Sequence, residues 1–431
     1  MSMQYYSTKN RSLHVSFQEA VFNSLPADGG LYMPKDIPVL PKDWFAKIEN
    51  RTYQEIGFEV MRHYVGSEIS DNDLLAIISA ALSFDTPVVS ITKDIYTLEL
   101  FHGSTWAFKD VGARFLAQVM GYYSSRSGRS STILVATSGD TGGAVAAGFY
   151  QVPGVQVVIL YPKGKVSPVQ QLQLTTWGEN ISALEVEGTF DDCQRLVKEA
   201  FADSELNQKH HLSSANSINI ARFLPQSLYY FRMYQQMMTD HLVVSVPSGN
   251  YGNLTAGLVA KRMGLPIKRF IAAANANDPV PRYLENGAYY SKETIPTYSN
   301  AMDVGNPSNF ERMLALFEGD IFRMRKIISG ISISDQTTLE TMQQIYQQKG
   351  YVVDPHGAVA FAGLKHFLQS GETGVFLETA HPVKFPDVVQ KALELMPDYS
   401  EMEATLKGKI SKFVSIHATF DDLKDYLNKR Q

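Results

Sequence analysis

An α/β architecture, with mostly parallel sheets covered by helices on both faces, is what this sequence predicts. Three observations carry that expectation. From about residue 93 onward, β-branched apolar runs alternate with helical runs. The strand-like runs are short and almost continuously apolar, as strands buried on both faces are. Four of them end in a turn rich in Gly, Ser, Thr or Asn, which is how ligand loops sit at the carboxyl edge of open α/β sheets.

Residues 1–92 read as a unit of their own. They carry little strand signal, a Gly-Gly-Leu-Tyr-Met-Pro turn at 29–34, and helical runs near 53–65 and 73–82. A strand over 96–101 then leads through a turn holding Lys109 into a helix over 111–123. Residues 133–137 are β-branched and are followed by a Gly-rich turn and a small-residue helix at 144–150. Strand 155–161, a helix reaching 177, strand 181–186 and the helix around Cys193 come next. A longer helical region spans 218–238, broken by Pro225, which removes one backbone donor. Strand 241–246, a Gly/Asn turn, a helix ending at Gly264 and strand 268–274 follow. Ser308 and Glu311 have the spacing of a capping box, so a helix is expected to start there. The helix over 335–349 stops at Gly350, and 351–353, a helix over 358–368, strand 375–377 and a helix opening at Pro386 complete the alternation.

Composition narrows the function classes. The chain has 431 residues, 44% hydrophobic and 19% charged, with a formal net charge of −5. That balance lacks the basic footprint of a nucleic-acid binder. No apolar run approaches the ~18 residues of a spanning helix, and the first ten residues hold no apolar signal core. Cys193 is the single cysteine, which rules out an internal disulfide and fits a reducing, cytoplasmic setting. At helical spacing it shares a face with Phe190, Val197, Ala200 and Phe201, so it is expected in the core. No association element is evident, which leaves the oligomeric state open, a monomer included.

The chemistry concentrates in four turns: Lys109 with its neighbours, 137–143 (TSGDTGG), 247–253 (PSGNYGN) and 378–382 (ETAHP). Glycines in the third let backbone approach a ligand, and the following helix points free amides at it, which suits a phosphate. A tight turn with an ordinary helix cap explains the same residues. The second turn adds the hydroxyls of Ser138 and Thr141 and suits a carboxylate or phosphate. P-loop and dinucleotide spacings are absent, as are H-E-x-x-H and G-x-S-x-G. His102, His356 and His381 sit beside the turns and read as structural hydrogen-bonders. A lysine, a phosphate cradle and a carboxylate cradle together are what pyridoxal phosphate (PLP) chemistry requires.

The motifs resemble the threonine synthase family of PLP enzymes, of fold type II. They are 102–110 (HGSTWAFKD), 138–142 (SGDTG), 161–170 (YPKGKVSPVQ), 216–226 (NSINIARFLPQ), 247–253 (PSGNYGN), 275–278 (NAND), 308–312 (SNFER), 354–356 (DPH) and 379–382 (TAHP), with 28–32 (DGGLY) before them. They run in the family's order from about residue 20 to about residue 390. The resemblance implies two open, mostly parallel α/β domains plus an N-terminal domain of the threonine synthase type. Its expected division is residues 1–92 for the N-terminal domain, 93–124 with 221–431 for the large PLP-binding domain, and 125–220 for a small domain carrying the substrate loop.

The resemblance also implies roles. Lys109 would bind PLP as a Schiff base and act as the catalytic base. Gly249, Asn250, Tyr251, Gly252 and Asn253 would cradle the cofactor phosphate, and Thr379 would face the pyridine nitrogen. Ser138, Gly139, Asp140 and Thr141 would hold the substrate carboxylate. Lys165, ahead of Lys163 and Arg222, would meet the substrate phosphate. The implied reaction turns O-phospho-L-homoserine and water into L-threonine and phosphate, with no metal, nucleic acid or membrane involved. A threonine or serine dehydratase of the same fold, or a silent homologue that binds a phosphate metabolite, are the alternatives. Asp140 departs from the Asn many fold-type relatives carry; a carboxylate there repels the cofactor's phenolic oxygen unless it is protonated or turned away. Asn253 stands where some relatives carry Asp, and its amide can donate to phosphate.

Overall fold

The structure, a computed structural model, describes residues 3–398, 400, 404–405 and 408–429. The outermost residues of the expected N-terminal and large domains, 1–2 and 430–431, lie outside it. Two parallel sheets dominate. The larger has six strands in the order Ile328–Ser332, Ile267–Ala274, Leu242–Pro247, Thr373–Glu378, Ile95–Glu99 and Val88–Ser90. All neighbours are parallel except the edge strand Val88–Ser90, which runs antiparallel to Ile95–Glu99. The smaller has five parallel strands in the order Val414–His417, Ile181–Glu187, Val155–Pro162, Ser131–Ala136 and Leu212–Ser213. The central strands Leu242–Pro247 and Ser131–Ala136 are buried along their whole length, as a sheet covered on both faces demands.

The helices follow the periodic pattern closely. Lys109–Ser127, Asp140–Phe149 and Gly252–Arg262 each start in one of the Gly-rich turns. Helix Asp335–Lys349 ends at Gly350, which takes the left-handed conformation (φ 65°) that glycine adopts without penalty. Around Pro225 the helical region breaks into Ile220–Phe223, a 3₁₀ turn at Leu224–Gln226, and Ser227–Met237. Cys193 is fully buried on helix Phe190–Ala202, and burial pushes its thiol up to about 12.

Four expectations are corrected. First, residues 5–34 do contain strands: Tyr5–Ser7, Asn10–Val15 and Tyr32–Pro34 form a small antiparallel sheet. Tyr5–Ser7 and Tyr32–Pro34 are too short to show a clear alternation, and Asn10–Val15 has no buried residue to mark a face. Second, the boundary at 92 falls too late, because Val88–Ser90 already belongs to the large sheet. Third, the large domain does not extend to 431. Val414–His417 adds an edge strand to the small sheet beside Ile181–Glu187, and helix Phe420–Lys429 packs on helix Phe190–Ala202. That pairing is long-range and leaves no local signature. Fourth, Ser308 and Glu311 form no capping box. The helix is Phe310–Phe317 with Asn309 at its cap and no side-chain cap bond. The Ser308 N–H donates to Asn250 Oδ1 (2.6 Å), and Glu311 Oε2 accepts from Thr8 Oγ1 (3.0 Å).

Candidate active site

Three of the four turns leave the carboxyl ends of adjacent strands in the large sheet. In sheet order they are the phosphate-type loop after Leu242–Pro247, Thr379 after Thr373–Glu378, and the Lys109 turn after Ile95–Glu99. The fourth, Ser138–Thr141, leaves the small sheet after Ser131–Ala136. The turns therefore occupy the carboxyl edges of both sheets. The Lys109 and Thr379 turns are stitched together: the Phe108 N–H donates to the Thr379 carbonyl (2.8 Å), and the His381 N–H to the Trp106 carbonyl (3.0 Å).

Lys109 opens its helix and is largely buried, its side chain 19% exposed. Nearest in charge is Asp140, whose Oδ2 lies 3.9 Å from the Lys109 amine. Burial lowers the basicity of Lys109; Asp140 works against that, while Lys384 and Arg222 add to it. Asp140 Oδ1 pairs with Lys384 Nζ at 2.6 Å, and the Lys384 side chain is fully buried. Lys384 also donates to the Thr105 carbonyl (2.9 Å), inside the Lys109 turn. Burial alone would raise the Asp140 carboxyl, but Lys384 and Lys109 hold it well below the ordinary carboxylate range. Asp140 is thus ionised and turned to the two lysines, and Gln170 Nε2 adds a bond to Oδ1 (3.3 Å). Gly139 has φ 139°, and a Cβ there would lie 2.3 Å from Gln170 Nε2, so only glycine fits. Thr137 Oγ1 accepts from the Gly139 and Gly142 amides (3.0 and 2.9 Å). The Ser138 residue is exposed and Thr141 half-buried. The Asp140 and Thr141 amides lie in the first turn, where no intrahelical acceptor exists.

The Gly/Asn loop is braced rather than free. Asn250 Nδ2 donates to Ser217 Oγ (3.0 Å), and its Oδ1 accepts from Ser308. Asn309 Nδ2 donates to the same Ser217 Oγ (3.1 Å). Arg312, fully buried, donates to the Ser217, Ile218 and Tyr32 carbonyls and to Asn309 Oδ1. Burial pushes its guanidinium down to about 9. Tyr251 takes the left-handed conformation (φ 61°) and aligns the helix that begins at Gly252. A Cβ on Gly249 would sit 2.6 Å from the Met302 Cα, so the loop must approach that backbone bare.

The residues present fit PLP. Asn253 Oδ1 accepts from Tyr230 (2.7 Å), which turns Nδ2 away as a buried donor with no partner in the protein. An orphaned buried donor at a helix N-terminus matches a phosphate dianion. A neutral threonine hydroxyl (Thr379, 8% exposed) and a largely buried lysine (Lys109) follow the next two strands of the sheet, Thr373–Glu378 and Ile95–Glu99. Among the described residues no cluster of His, Cys, Asp and Glu could hold a metal ion.

Residues 84–378 match the family described as pyridoxal-phosphate dependent enzyme; residues 4–82 match the threonine synthase N terminus and 357–427 the threonine synthase C-terminal family. Threonine synthase of Escherichia coli (strain K12) is 45% identical, covering 91% of both chains, and that of Buchnera aphidicola subsp. Acyrthosiphon pisum is 43% identical over 99% of both. The chain belongs to the threonine synthase family. It is accordingly a PLP-dependent enzyme, a lyase. Among solved structures, threonine synthase from Escherichia coli superimposes with a TM-score of 0.92 at 42% identity over 100% of both chains. PLP-bound threonine synthase from Brucella melitensis gives 0.95 at 35% identity over 99% of both. A tomato threonine deaminase at 15% identity and TM-score 0.58 shows only the shared fold type II framework.

Within the threonine synthase framework, the three candidate phosphate cations separate. Lys163 pairs with Glu187 (3.0 Å). Arg222 is buried, donates to the Ala215 carbonyl (2.5 Å) and is pushed down to about 10. Lys165 is exposed in the turn between Val155–Pro162 and Pro168–Thr175. The three flagged histidines all make structural bonds. His102 pairs with Glu99 (2.7 Å), His381 Nδ1 accepts from Val383, and His356 bridges Asp354 and the Ala301 amide. The residue sequence reading missed is Lys384. Its signal was slight: a lysine five positions after Thr379, in a loop already marked as a ligand edge.

Proposed function

We propose that this chain makes L-threonine and phosphate from O-phospho-L-homoserine and water, the last step of threonine biosynthesis, with Lys109 as its catalytic residue. The observation that carries the residue-level reading is the largely buried Lys109 amine, 3.9 Å from Asp140 of the Ser138–Thr141 loop and in a turn hydrogen-bonded to the Thr379 carbonyl. The reaction breaks the Cγ–O bond to phosphate and adds water at Cβ, so protons must leave and return along the substrate chain. PLP, when bound, supplies the electron sink for charge developing on carbon. Lys109 serves as the base and acid at those carbons, since burial lowers its basicity toward the working range.

The backbone of Gly249, Tyr251 and Gly252 and the Nδ2 of Asn253 would hold the cofactor phosphate, while Asn250 shapes the loop through Ser217 and Ser308. Thr379 would meet the ring nitrogen with a neutral hydroxyl. Ser138, Gly139 and Thr141 hold the substrate carboxylate, and Asp140 contributes its backbone amide, since its carboxylate is committed to Lys384. Lys165 meets the substrate phosphate when the small-sheet domain closes on the large one and excludes water. A cytoplasmic location belongs to the same reading, supported by a single buried cysteine.

Purified protein given O-phospho-L-homoserine should release phosphate and threonine in equal amounts. A threonine or serine dehydratase would instead yield a 2-oxo acid and ammonia from the free amino acid. Lys165→Ala should raise KM at least about tenfold with kcat largely kept, the loss of one charge-assisted contact. An unchanged KM would move the phosphate site elsewhere.

A further inference from the structure

The buried charges around Lys109 do not balance if every group is ionised. From its own turn comes Asp110, which accepts from Thr105 and is raised by burial. From the small-sheet domain comes Asp140, and from helix Ile220–Phe223 comes Arg222. The loop after Thr373–Glu378 supplies Lys384, and His356 faces Asp140 from helix Pro355–Phe367. His356 Nε2 accepts from the Ala301 amide and Nδ1 faces Asp354 Oδ1, so both ring nitrogens are turned to partners other than Asp140. Among the described residues Asp140 is the one carboxylate within 4 Å of either lysine, while Asp110 is turned to Thr105.

It does not divide itself evenly. Asp140 Oδ1 is 2.6 Å from Lys384, whereas Oδ2 is 3.9 Å from Lys109. Lys384 is fully buried and tethered to the Thr105 carbonyl, so it has no water to turn to and no freedom to leave. We propose that Lys384 is a positioning residue: it takes Asp140 as its own ion-pair partner and so leaves Lys109 without a counter-ion, as the uncharged amine. An uncharged amine is the form that attacks the cofactor aldehyde and the form that accepts a proton. The pair also joins the two domains, because Asp140 opens a helix beside the small sheet and Lys384 follows a strand of the large one. This rests on the reading of Lys109 given above.

The test uses the full-length chain freed of cofactor. PLP is added across neutral to alkaline pH, and the rate of imine formation is followed by absorbance. Whether Lys109 captures PLP at all tests the earlier reading; where the acid limb of the rate lies tests this one. In Lys384→Met, Asp140 becomes the counter-ion of Lys109, and the limb should move to higher pH by about one unit or more. Lys384→Arg should restore it, and Asp140→Asn should move it the opposite way. The double variant Asp140→Asn with Lys384→Met removes both charges of the pair and should return the limb close to its original place. If Lys384→Met does not fold, the Arg, Asn and double variants still decide. An acid limb that stays put in all of them, or that moves down in Lys384→Met, overturns the proposal.

Discussion

Asn253 shows how one side chain ties packing to binding. Its Oδ1 is fixed by Tyr230, which leaves Nδ2 buried and unpaired. Asn253→Ala should weaken PLP retention by about ten- to hundredfold, the usual worth of a charge-assisted hydrogen bond of roughly 1.5–3 kcal/mol. Tyr230 keeps the backbone carbonyl of Asn253 as an acceptor (3.0 Å), so the loss reports on the donor. Titration of the cofactor-free protein with PLP measures it. Gly249→Ala should also weaken retention, because the new Cβ would press on the Met302 backbone; overpacking of this kind costs about 1–3 kcal/mol. At this scale the sequence made the positions of the turns readable, because Gly, Ser and Asn follow apolar runs there, although the same residues also suit an ordinary turn and helix cap. Lys384 was not readable. Nothing in Pro-Val-Lys-Phe says that the backbone will carry that lysine beneath Asp140 in another domain.

Among elements, the loop at 247–253 depends on a strap drawn from far along the chain. Arg312 joins helix Phe310–Phe317 to the Ser217 and Ile218 carbonyls and to strand Tyr32–Pro34. Removing it would leave several buried carbonyls unpaired. Arg312→Ala should destabilise the protein by about 3–5 kcal/mol and loosen PLP, measured by denaturant midpoint and cofactor retention. Arg312→Lys should rescue little, because one ammonium cannot reproduce a planar fork that serves four partners. The strap also explains why the Ser308 and Glu311 spacing misled. The same residues that could cap a helix are used to hold Asn250 and Thr8. Long helices and central strands were readable from periodicity, whereas the three short N-terminal strands and Val414–His417 depend on partners distant in sequence.

Across the whole molecule, activity and stability are anchored at opposite edges of the large sheet. At the amino-terminal side, away from the ligand turns, Glu372 is nearly buried between Arg269 (2.6 Å) and Lys268 (2.9 Å). Burial would raise its carboxyl, but the two cations win and hold it at about 2, below its ordinary 4.5. A depressed carboxyl stabilises the fold above the unfolded value and loses that contribution as pH falls through about 2. Glu372→Gln should therefore lower Tm at neutral pH, with kcat unchanged. The difference from the parent protein should shrink between about pH 4.5 and pH 2, which thermal melts across pH will read.

The account stands or falls on which amine bears the cofactor, since Lys109 and Lys384 both reach Asp140. Borohydride reduction of the PLP-loaded protein, followed by peptide mapping, decides it. One phosphopyridoxyl group on Lys109 is the predicted result; a label on Lys384 or on any other lysine would contradict the assignment.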